Sequence, residues 1–152
     1  MTGQRISLMG VPLDLLSMSQ TIARAEDAMT SGQRLQQVVI NVAKLVNMRT
    51  DTDLRQDVLD SDIINIDGTG ILWAVRLLGH RVEERVAGVD LMEALIANCA
   101  QHGYKPYFLG ASAEVLEQAM TKLRADHPTL RIAGYRNGYF GEAEEEQVVA
   151  EI

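Results

Sequence analysis

The segment DIINIDGTGILWAVRLLG (residues 62–79) decides the fold of this chain. It starts with an apolar run typical of a short buried strand, and it ends in a helix-like pattern that Gly79 closes. Asp67 and Gly68 stand where the strand gives way to the helix. Ligands of open parallel α/β sheets bind outside the carboxyl ends of the strands. The segment therefore predicts a carboxylate at a ligand-binding edge.

The rest of the chain repeats this alternation of short apolar runs and longer segments with helical spacing. Further strands are predicted within residues 5–14 (a strand or a strand pair), 37–41, 105–110 and 130–136. We predict a single α/β domain over residues 1–152, with a doubly wound, mostly parallel, Rossmann-like sheet and helices on both faces. A last helix from residue 142 lacks a following strand, which is typical either of a truncated chain or of a terminal helix that closes the domain.

Helix starts are predicted from polar side chains that accept hydrogen bonds from the first backbone N–H groups. Ser19 is expected to cap the first helix, and Ser112 a later one. Asp90 with Glu93 resembles a capping box. The apolar stripe of the first helix is predicted at Ile22, Ala25 and Met29.

Composition and charge exclude several functional classes. The 152 residues carry a formal net charge of −7, which argues against a nucleic-acid binder, because such proteins present clustered Lys and Arg to phosphates. The single cysteine, Cys99, is predicted to be a small buried residue. It cannot form an internal disulfide, which fits a reducing, cytoplasmic setting. No apolar run approaches the roughly 20 residues that span a bilayer. Contact with a membrane surface remains compatible with the sequence.

Two predicted strands are followed directly by polar residues, Asn41 and the pair Asp67–Gly68. Asp67 is the strongest candidate, because the glycine after it lets the backbone turn freely. A partly buried carboxylate there can accept a proton as a general base. The alternative is structural, since Asp is also a favoured N-cap for a helix starting near Thr69. The pattern alone favours the cap.

Two further positions fit anion binding. Arg85 lies between two elements near the same edge, and arginine suits bidentate capture of phosphate or carboxylate. Its alternative is an exposed ion pair with a neighbouring glutamate, and the sequence alone favours that alternative. Gly110 and Ser112 flank a strand-to-helix junction whose free N–H groups attract phosphate. A plain turn with a helix cap is the more ordinary reading of that junction.

The segment GYRNGYFG (residues 134–141) concentrates glycines and aromatic residues. Gly138 permits close approach of the backbone to a ligand, and an exposed Tyr139 can stack on a base. Alternatively, these aromatic residues cover the edge of the sheet.

Metal-binding patterns are weak. The histidines do not cluster with cysteine or acidic residues at ligand spacing, and no Asp-x-Asp pair follows a predicted strand. We expect neither a zinc site nor a divalent-metal nucleotide site.

Five segments occur together in an order and at spacings that resemble a known family. They are NVAKLV (41–46), DIINIDGTGILWAVRLLG (62–79), ERVAGVDLMEAL (84–95), YFLGAS (107–112) and IAGYRNGYF (132–140). The set resembles the TagA/WecG/CpsF glycosyltransferases, glycosyltransferase family 26, over nearly the whole chain from Gly10 onward. The resemblance implies a bacterial inverting enzyme that transfers a sugar (N-acetylmannosamine or another hexose) from a UDP-sugar to a polyprenyl-diphosphate-linked acceptor. The products of such enzymes enter wall teichoic acid, capsule and exopolysaccharide.

The resemblance also implies residue roles. Asp67 matches the family's proposed general base, and Arg85 matches an arginine near the reaction centre. Asn41 matches the asparagine after the second strand. Gly138 and Tyr139 match the segment that lies against uridine. With them, Gly68, Gly110 and Ser112 are expected to bind substrate. No metal or other cofactor is implied.

Two departures from the family pattern stand out. Val39 occupies a position where the family often has threonine, so a hydroxyl contact is missing or replaced. Full-length members also continue for several dozen residues, including a basic appendage that reaches the inner face of the cytoplasmic membrane. We therefore expect a C-terminally truncated chain whose parent is peripheral to that membrane, and a homo-oligomer is compatible with this truncation.

Three other classes compete with this hypothesis. A non-catalytic nucleotide-binding α/β module is the main alternative, because truncation can remove activity. A NAD-type oxidoreductase domain is disfavoured by the absence of the G-x-G-x-x-G fingerprint. A receiver-like signalling domain would have an acidic cluster after its first strand and a phosphoacceptor after a middle strand. Asp14 and Asp67 match this pattern only weakly.

Overall fold

A computed structural model describes residues 4–152 as a mixed α/β chain. The strands in this range are β1 (Arg5–Leu8), β2 (Val11–Asp14), β3 (Gln37–Ile40), β4 (Ile63–Ile66), β5 (Tyr107–Leu109) and β6 (Gly134–Arg136). The α-helices are α1 (Met18–Ser31), α2 (Val42–Asn47), α3 (Thr52–Leu59), α4 (Thr69–Leu77), α5 (Gly88–His102), α6 (Ala113–Asp126) and α7 (Glu145–Glu151), the last preceded by a 3-10 turn at Glu142–Glu144. None of these helices combines the length and apolar composition needed to cross a bilayer.

Strands β1 and β2 form an antiparallel hairpin, which confirms the predicted strand pair. Met9 and Gly10 make the turn with φ angles of 52° and 77°, as a two-residue hairpin turn requires. At the open end, the Arg5 guanidinium donates to both carboxylate oxygens of Asp14 at 2.8 and 2.7 Å. These bonds raise the pKa of Arg5 above its ordinary value. An ion pair therefore joins the first residue of β1 to the last residue of β2.

Strands β3 and β4 pair in parallel, with Ile40 opposite Ile66. Every residue of β4 is buried, as expected for a strand covered on both faces. The Ile64 N–H donates to an Asp14 carboxylate oxygen at 2.8 Å, which joins the hairpin to β4. The fully buried members of the surrounding core are Val11, Leu13, Ile40, Ile64 and Val75.

A chain of buried polar side chains ties helix α1 to β4. Asn65, fully buried in β4, donates to the Thr21 hydroxyl at 3.0 Å, and its amide oxygen accepts from Gln37 at 2.9 Å. The Thr21 hydroxyl in turn donates to the Ser17 carbonyl at 2.9 Å. Burial without such partners is costly for amide and hydroxyl groups, so the chain fixes where α1 lies on β4.

The predicted N-cap of α1 is wrong by two positions. Ser17, not Ser19, accepts from the Gln20 N–H and forms a capping box with that glutamine. The buried face accordingly contains Thr21 and Ala28, while Met29 is exposed. The polar Thr21 takes a core position because Asn65 supplies its partner, which an apolar-stripe rule does not anticipate. The predicted end at Gly32 is confirmed, with a left-handed φ of 68°.

Helix α5 starts earlier than predicted. It begins at Gly88, and the Leu91 N–H donates to the Ala87 carbonyl, so Asp90 lies inside the first turn rather than at its cap. An acid there still interacts favourably with the helix dipole. Cys99 is buried in this helix, and burial raises the pKa of its thiol.

Strands β5 and β6 pair in parallel, with Tyr107 opposite Gly134 and Leu109 opposite Arg136. The predicted strand over residues 130–136 is shortened, because the chain pairs in the ladder only from Gly134. The predicted cap of the next helix is confirmed, since the Ser112 hydroxyl accepts from the Val115 N–H.

The α/β class predicted from sequence is confirmed. In residues 4–152 the ladders form one antiparallel and two parallel pairs of strands, and a continuous doubly wound sheet stays a prediction. The chain divides inside α5 into two compact units, one up to Met92 and one from Glu93. The single domain predicted over residues 1–152, with an incomplete C-terminus, stays a prediction as well.

Replacing Thr21 by valine is expected to lower the free energy of unfolding by about 1–3 kcal/mol, because it leaves the buried Asn65 amide without its acceptor. Urea unfolding followed by circular dichroism measures the change. Thr50→Val is the matched control, since the exposed Thr50 hydroxyl bonds only to a local backbone carbonyl. Equal effects of the two substitutions would contradict a role for the buried chain.

Candidate active site

The carboxyl ends of β3 and β4 meet through backbone hydrogen bonds. The Asp67 N–H donates to the Ile40 carbonyl, and the Val86 N–H donates to the Ile66 carbonyl, both at 2.8 Å. The residues next to these bonds are Asn41, Asp67 and Arg85. Three segments distant in sequence therefore converge at one edge, as the strand-end rule predicts.

Asp67 and Arg85 form an ion pair at this edge. The Asp67 Oδ1 and the Arg85 guanidinium nitrogen are 3.6 Å apart, and the two side chains are 24% and 47% exposed. This distance exceeds the roughly 2.7–2.9 Å of a charge-assisted hydrogen bond, so both groups keep capacity for another partner. The expected pairing of Arg85 with a neighbouring glutamate is absent from the described residues, and the Glu84 carboxylate accepts from the Met18 N–H instead.

Asp67 does not cap helix α4. The cap position is Gly68, with φ 90° and ψ 145°, and no side chain in the described chain bonds to the first turn. The glycine is needed here because other residues rarely adopt this φ. The structural alternative for Asp67 is therefore not observed, and its partly exposed carboxylate lies beside Arg85.

Asn41 and Gly68 lie next to each other. A Cβ built on Gly68 would be 3.7 Å from the Cβ of Asn41. Asn41 caps α2, where its amide oxygen accepts from the Lys44 N–H at 2.9 Å. Its amide nitrogen has no protein partner within residues 4–152, so it can donate to a ligand oxygen.

Val39, the position without the expected hydroxyl, lies against the start of α5. A Cβ built on Gly88 would be 3.4 Å from Val39 Cγ2. Valine thus packs an apolar group here, beside the edge that carries Asn41. No hydroxyl from this position can reach a substrate.

The remaining predicted positions gather in the second unit, at the carboxyl ends of β5 and β6. The Gly110 N–H donates to the Arg136 carbonyl at 3.1 Å, and the Gly138 N–H donates to the Ala111 carbonyl at 3.0 Å. A Cβ on Gly138 would be 2.9 Å from the Cα of Gly110. The two loops approach so closely that only glycine fits at Gly138. Ser112 fits the ordinary reading of a turn with a helix cap.

The aromatic residues of segment 134–141 divide into two environments. Tyr139 is 81% exposed, so its ring does not cover the sheet edge. Tyr135 lies near the Arg124 guanidinium and donates its hydroxyl to Glu117 at 3.3 Å, and Phe140 lies under Arg136. Tyr139 is thus available for stacking.

Sequence reasoning missed Arg136 and Asn137. They line a cavity of about 320 Å³ together with Ala113, Leu116, Glu117 and Tyr135. Both follow or end β6, so the strand-end rule could have found them. Arg136 is already paired, with Glu144 at 3.1 Å and with Glu151 at 2.9 Å, and these carboxylates raise its pKa.

Possible metal ligands do not cluster in the described chain. Residues 4–152 contain no group of three or more His, Cys, Asp or Glu side chains that could hold a metal ion. The expectation that no metal is required stays a prediction.

The structure therefore defines an α/β protein with an acid–arginine pair and an asparagine at the ends of two parallel strands. Its sequence matches the glycosyl transferase WecG/TagA/CpsF family over residues 6–152, and the chain belongs to this family. The resemblance seen in the sequence motifs is confirmed.

A curated relative gives the comparison a chemical context. It is the N-acetylglucosaminyldiphosphoundecaprenol N-acetyl-beta-D-mannosaminyltransferase of Bacillus spizizenii (strain ATCC 23059 / NRRL B-14472 / W23), which is 33% identical over 79 residues. The match covers 52% of this chain and 31% of the relative.

Gly138→Ala is expected to destabilise the second unit by about 1–3 kcal/mol, because the added Cβ meets the backbone of Gly110. Thermal unfolding measures the shift. Gly141→Ala is the control, since a Cβ there meets nothing within 4 Å and neither glycine has a positive φ. If both variants unfolded at the same temperature, the close approach of the two loops would be wrong.

Proposed function

We propose that this chain carries the catalytic base of an inverting glycosyltransferase. The reaction moves N-acetylmannosamine, or a related hexose, from a UDP-sugar to a polyprenyl-diphosphate-linked acceptor sugar. The observation that carries the proposal is the Asp67–Arg85 pair at the end of β4 in a chain of this family. The name of the Bacillus spizizenii relative supports the transferred sugar and the lipid-diphosphate acceptor.

In this proposal Asp67 acts as the general base. Its carboxylate takes the proton of the acceptor hydroxyl while that oxygen attacks the anomeric carbon from the face opposite UDP. The new carbon–oxygen bond forms as the bond to UDP breaks, and UDP leaves with the bonding electrons. A single displacement inverts the anomeric centre. The partial exposure of Asp67, 24%, leaves a path for the acceptor hydroxyl.

Arg85 assists the departure of UDP. Its guanidinium is 47% exposed and only loosely paired, so it can bind diphosphate oxygens through two parallel N–H groups. Positive charge aimed at the leaving group stabilises the charge that develops there. The free amide nitrogen of Asn41 supplies a further donor at the same edge.

The second group of residues is proposed to bind the nucleotide. Gly110, Ser112 and Gly138 bring two loops together, and such backbone can approach a ligand closely. The exposed ring of Tyr139 is suited to stacking on uracil. Gly68, in the first unit, is proposed as a further substrate contact.

The proposal extends to the setting of the enzyme. We place it in the cytoplasm at the inner face of the membrane, where a lipid-linked acceptor is found, and we keep the doubly wound sheet and a homo-oligomer as expectations.

The reaction is expected to need no metal, because Arg85 provides positive charge for the diphosphate. Turnover should therefore be the same in EDTA as in magnesium. Activity that EDTA abolished and magnesium restored would overturn this part of the proposal.

Asp67→Asn in the complete gene product should lower kcat by about 10²–10⁴-fold, the usual contribution of a general base, while UDP-sugar affinity stays close to that of the wild type. Steady-state transfer from UDP-N-acetylmannosamine to a lipid-diphosphate-linked N-acetylglucosamine measures kcat, and calorimetry measures affinity. Asp57→Asn makes the same chemical change at an exposed position of the same unit and should leave kcat unchanged.

Other outcomes separate the competing classes. Full turnover of Asp67→Asn would refute the base assignment. A wild-type protein that binds UDP but transfers no sugar would instead be a nucleotide-binding module. Binding of NAD without binding of any uridine nucleotide would refute the proposal as a whole.

A further inference from the structure

Helices α2 and α4 present large apolar side chains to solvent. Val42 and Val46 of α2 are 51% and 55% exposed, and Trp73 and Leu77 of α4 are 72% and 90% exposed. Each pair is four residues apart, so its members share one face of their helix. We call these four residues the apolar strip. Contiguous exposed apolar surface of this kind marks a site of interaction.

The two halves of the strip meet at the first turns of α2 and α4. A Cβ built on Gly70 would be only 2.7 Å from Val42 Cγ2, so the first turns of α2 and α4 are in contact. Trp73 and Leu77 follow Gly70 along one face of α4 and extend about 10 Å from it at 1.5 Å per residue. The strip starts where Asn41 and Gly68 precede the two helices. It is therefore continuous with the edge that carries Asp67.

The charged residues within the two segments that carry the strip are all cations. Residues 42–49 and 69–82 contain the cations Lys44, Arg49, Arg76 and Arg81 and no aspartate or glutamate. This is a local departure from a chain whose formal net charge is −7. The strip thus lies on two segments that carry only cations, although the acids Asp67 and Glu83 flank the second segment.

We propose that the apolar strip docks on an anionic lipid surface. Tryptophan is favoured at the boundary between lipid and water, and aliphatic residues beside Lys and Arg are typical of helices that lie in this boundary. Anionic lipids attract the cations of these two segments. Docking would bring the Asp67 edge to the surface that holds a lipid-linked acceptor, an advantage that rests on the proposed function, whereas lipid binding itself does not.

The charge pattern disfavours a second copy of the chain as the occupant. A two-fold contact places the same surface patch on both subunits. Such a contact through the strip would set the cations of one copy against those of the other, which costs free energy. An anionic bilayer has the opposite sign, so it satisfies both the apolar and the charged parts of this surface.

Trp73 is the only tryptophan in the 152-residue chain, so its fluorescence reports on the strip directly. We expect its emission to shift to shorter wavelength when the chain meets vesicles of phosphatidylcholine with phosphatidylglycerol. Vesicles of phosphatidylcholine alone should give a smaller shift, and added salt should weaken the response. Absence of any shift with anionic vesicles would overturn the proposal.

The double variant Val46→Gln/Leu77→Gln should reduce partitioning onto anionic vesicles by at least about tenfold, because two apolar side chains no longer enter the lipid. Co-sedimentation measures the partition coefficient. Val115→Gln/Val149→Gln is the control, since these valines are 55% and 74% exposed elsewhere in the chain. Equal loss in both double variants would refute a specific role for the strip.

Two further measurements complete the test. A shift without vesicles that grows with protein concentration, with dimers in analytical ultracentrifugation, would show that a second copy covers the strip and would overturn the proposal. In the complete gene product, Val46→Gln/Leu77→Gln should slow transfer to a vesicle-embedded acceptor but not to a water-soluble short-chain acceptor. If the wild-type protein transferred sugar to neither acceptor, the proposed function would be refuted. The vesicle-binding measurements would still stand.

Discussion

The parallel pairing of β3 with β4 determines where the functional groups of this chain lie. Ile40 stands opposite Ile66, and the next backbone bond joins Asp67 to Ile40. Because side chains alternate along a strand, a slip of one residue would turn Asp67 to the other face and separate it from Asn41. The register is therefore the constraint on which the acid–arginine pair depends.

Several contacts hold β4 in that register. Asp14 accepts from the Ile64 N–H at one end, and Asn65 bonds across to Thr21 in the middle. The Val86 N–H donates to the Ile66 carbonyl, and this bond holds the neighbouring Arg85 close to Asp67. A carboxylate at the end of such a buried strand has a well-defined position, which catalysis by a positioned base requires. The exposed ion pair itself contributes little to stability.

Sequence patterns predicted the parts of the structure that follow from local chemistry. Asn41 and Asp67 lie at the carboxyl ends of β3 and β4 as expected, and Ser112 caps its helix as expected. Errors arose where a distant partner decides the outcome. The start of α1 depends on Ser17 within a buried network, and the start of α5 depends on the carbonyl of Ala87.

The candidate site was predictable only in part for the same reason. Strand ends identify which residues reach an edge, but they do not show which side chains pair there. A glutamate next to Arg85 was the expected partner, yet the Glu84 carboxylate accepts from the Met18 N–H at the start of α1, and Arg85 pairs with Asp67. Periodicity likewise marks Trp73 and Leu77 as apolar without showing that this face of α4 is uncovered.

A crystal structure of the complete gene product with UDP and a non-reactive acceptor analogue would test the central claim most directly. The account predicts that an Asp67 carboxylate oxygen lies about 2.6–3.2 Å from the acceptor hydroxyl, within hydrogen-bond reach. It also predicts that Arg85 contacts the diphosphate. An acceptor hydroxyl that contacts a different base, with Asp67 beyond the reach of one bridging water, would contradict the account.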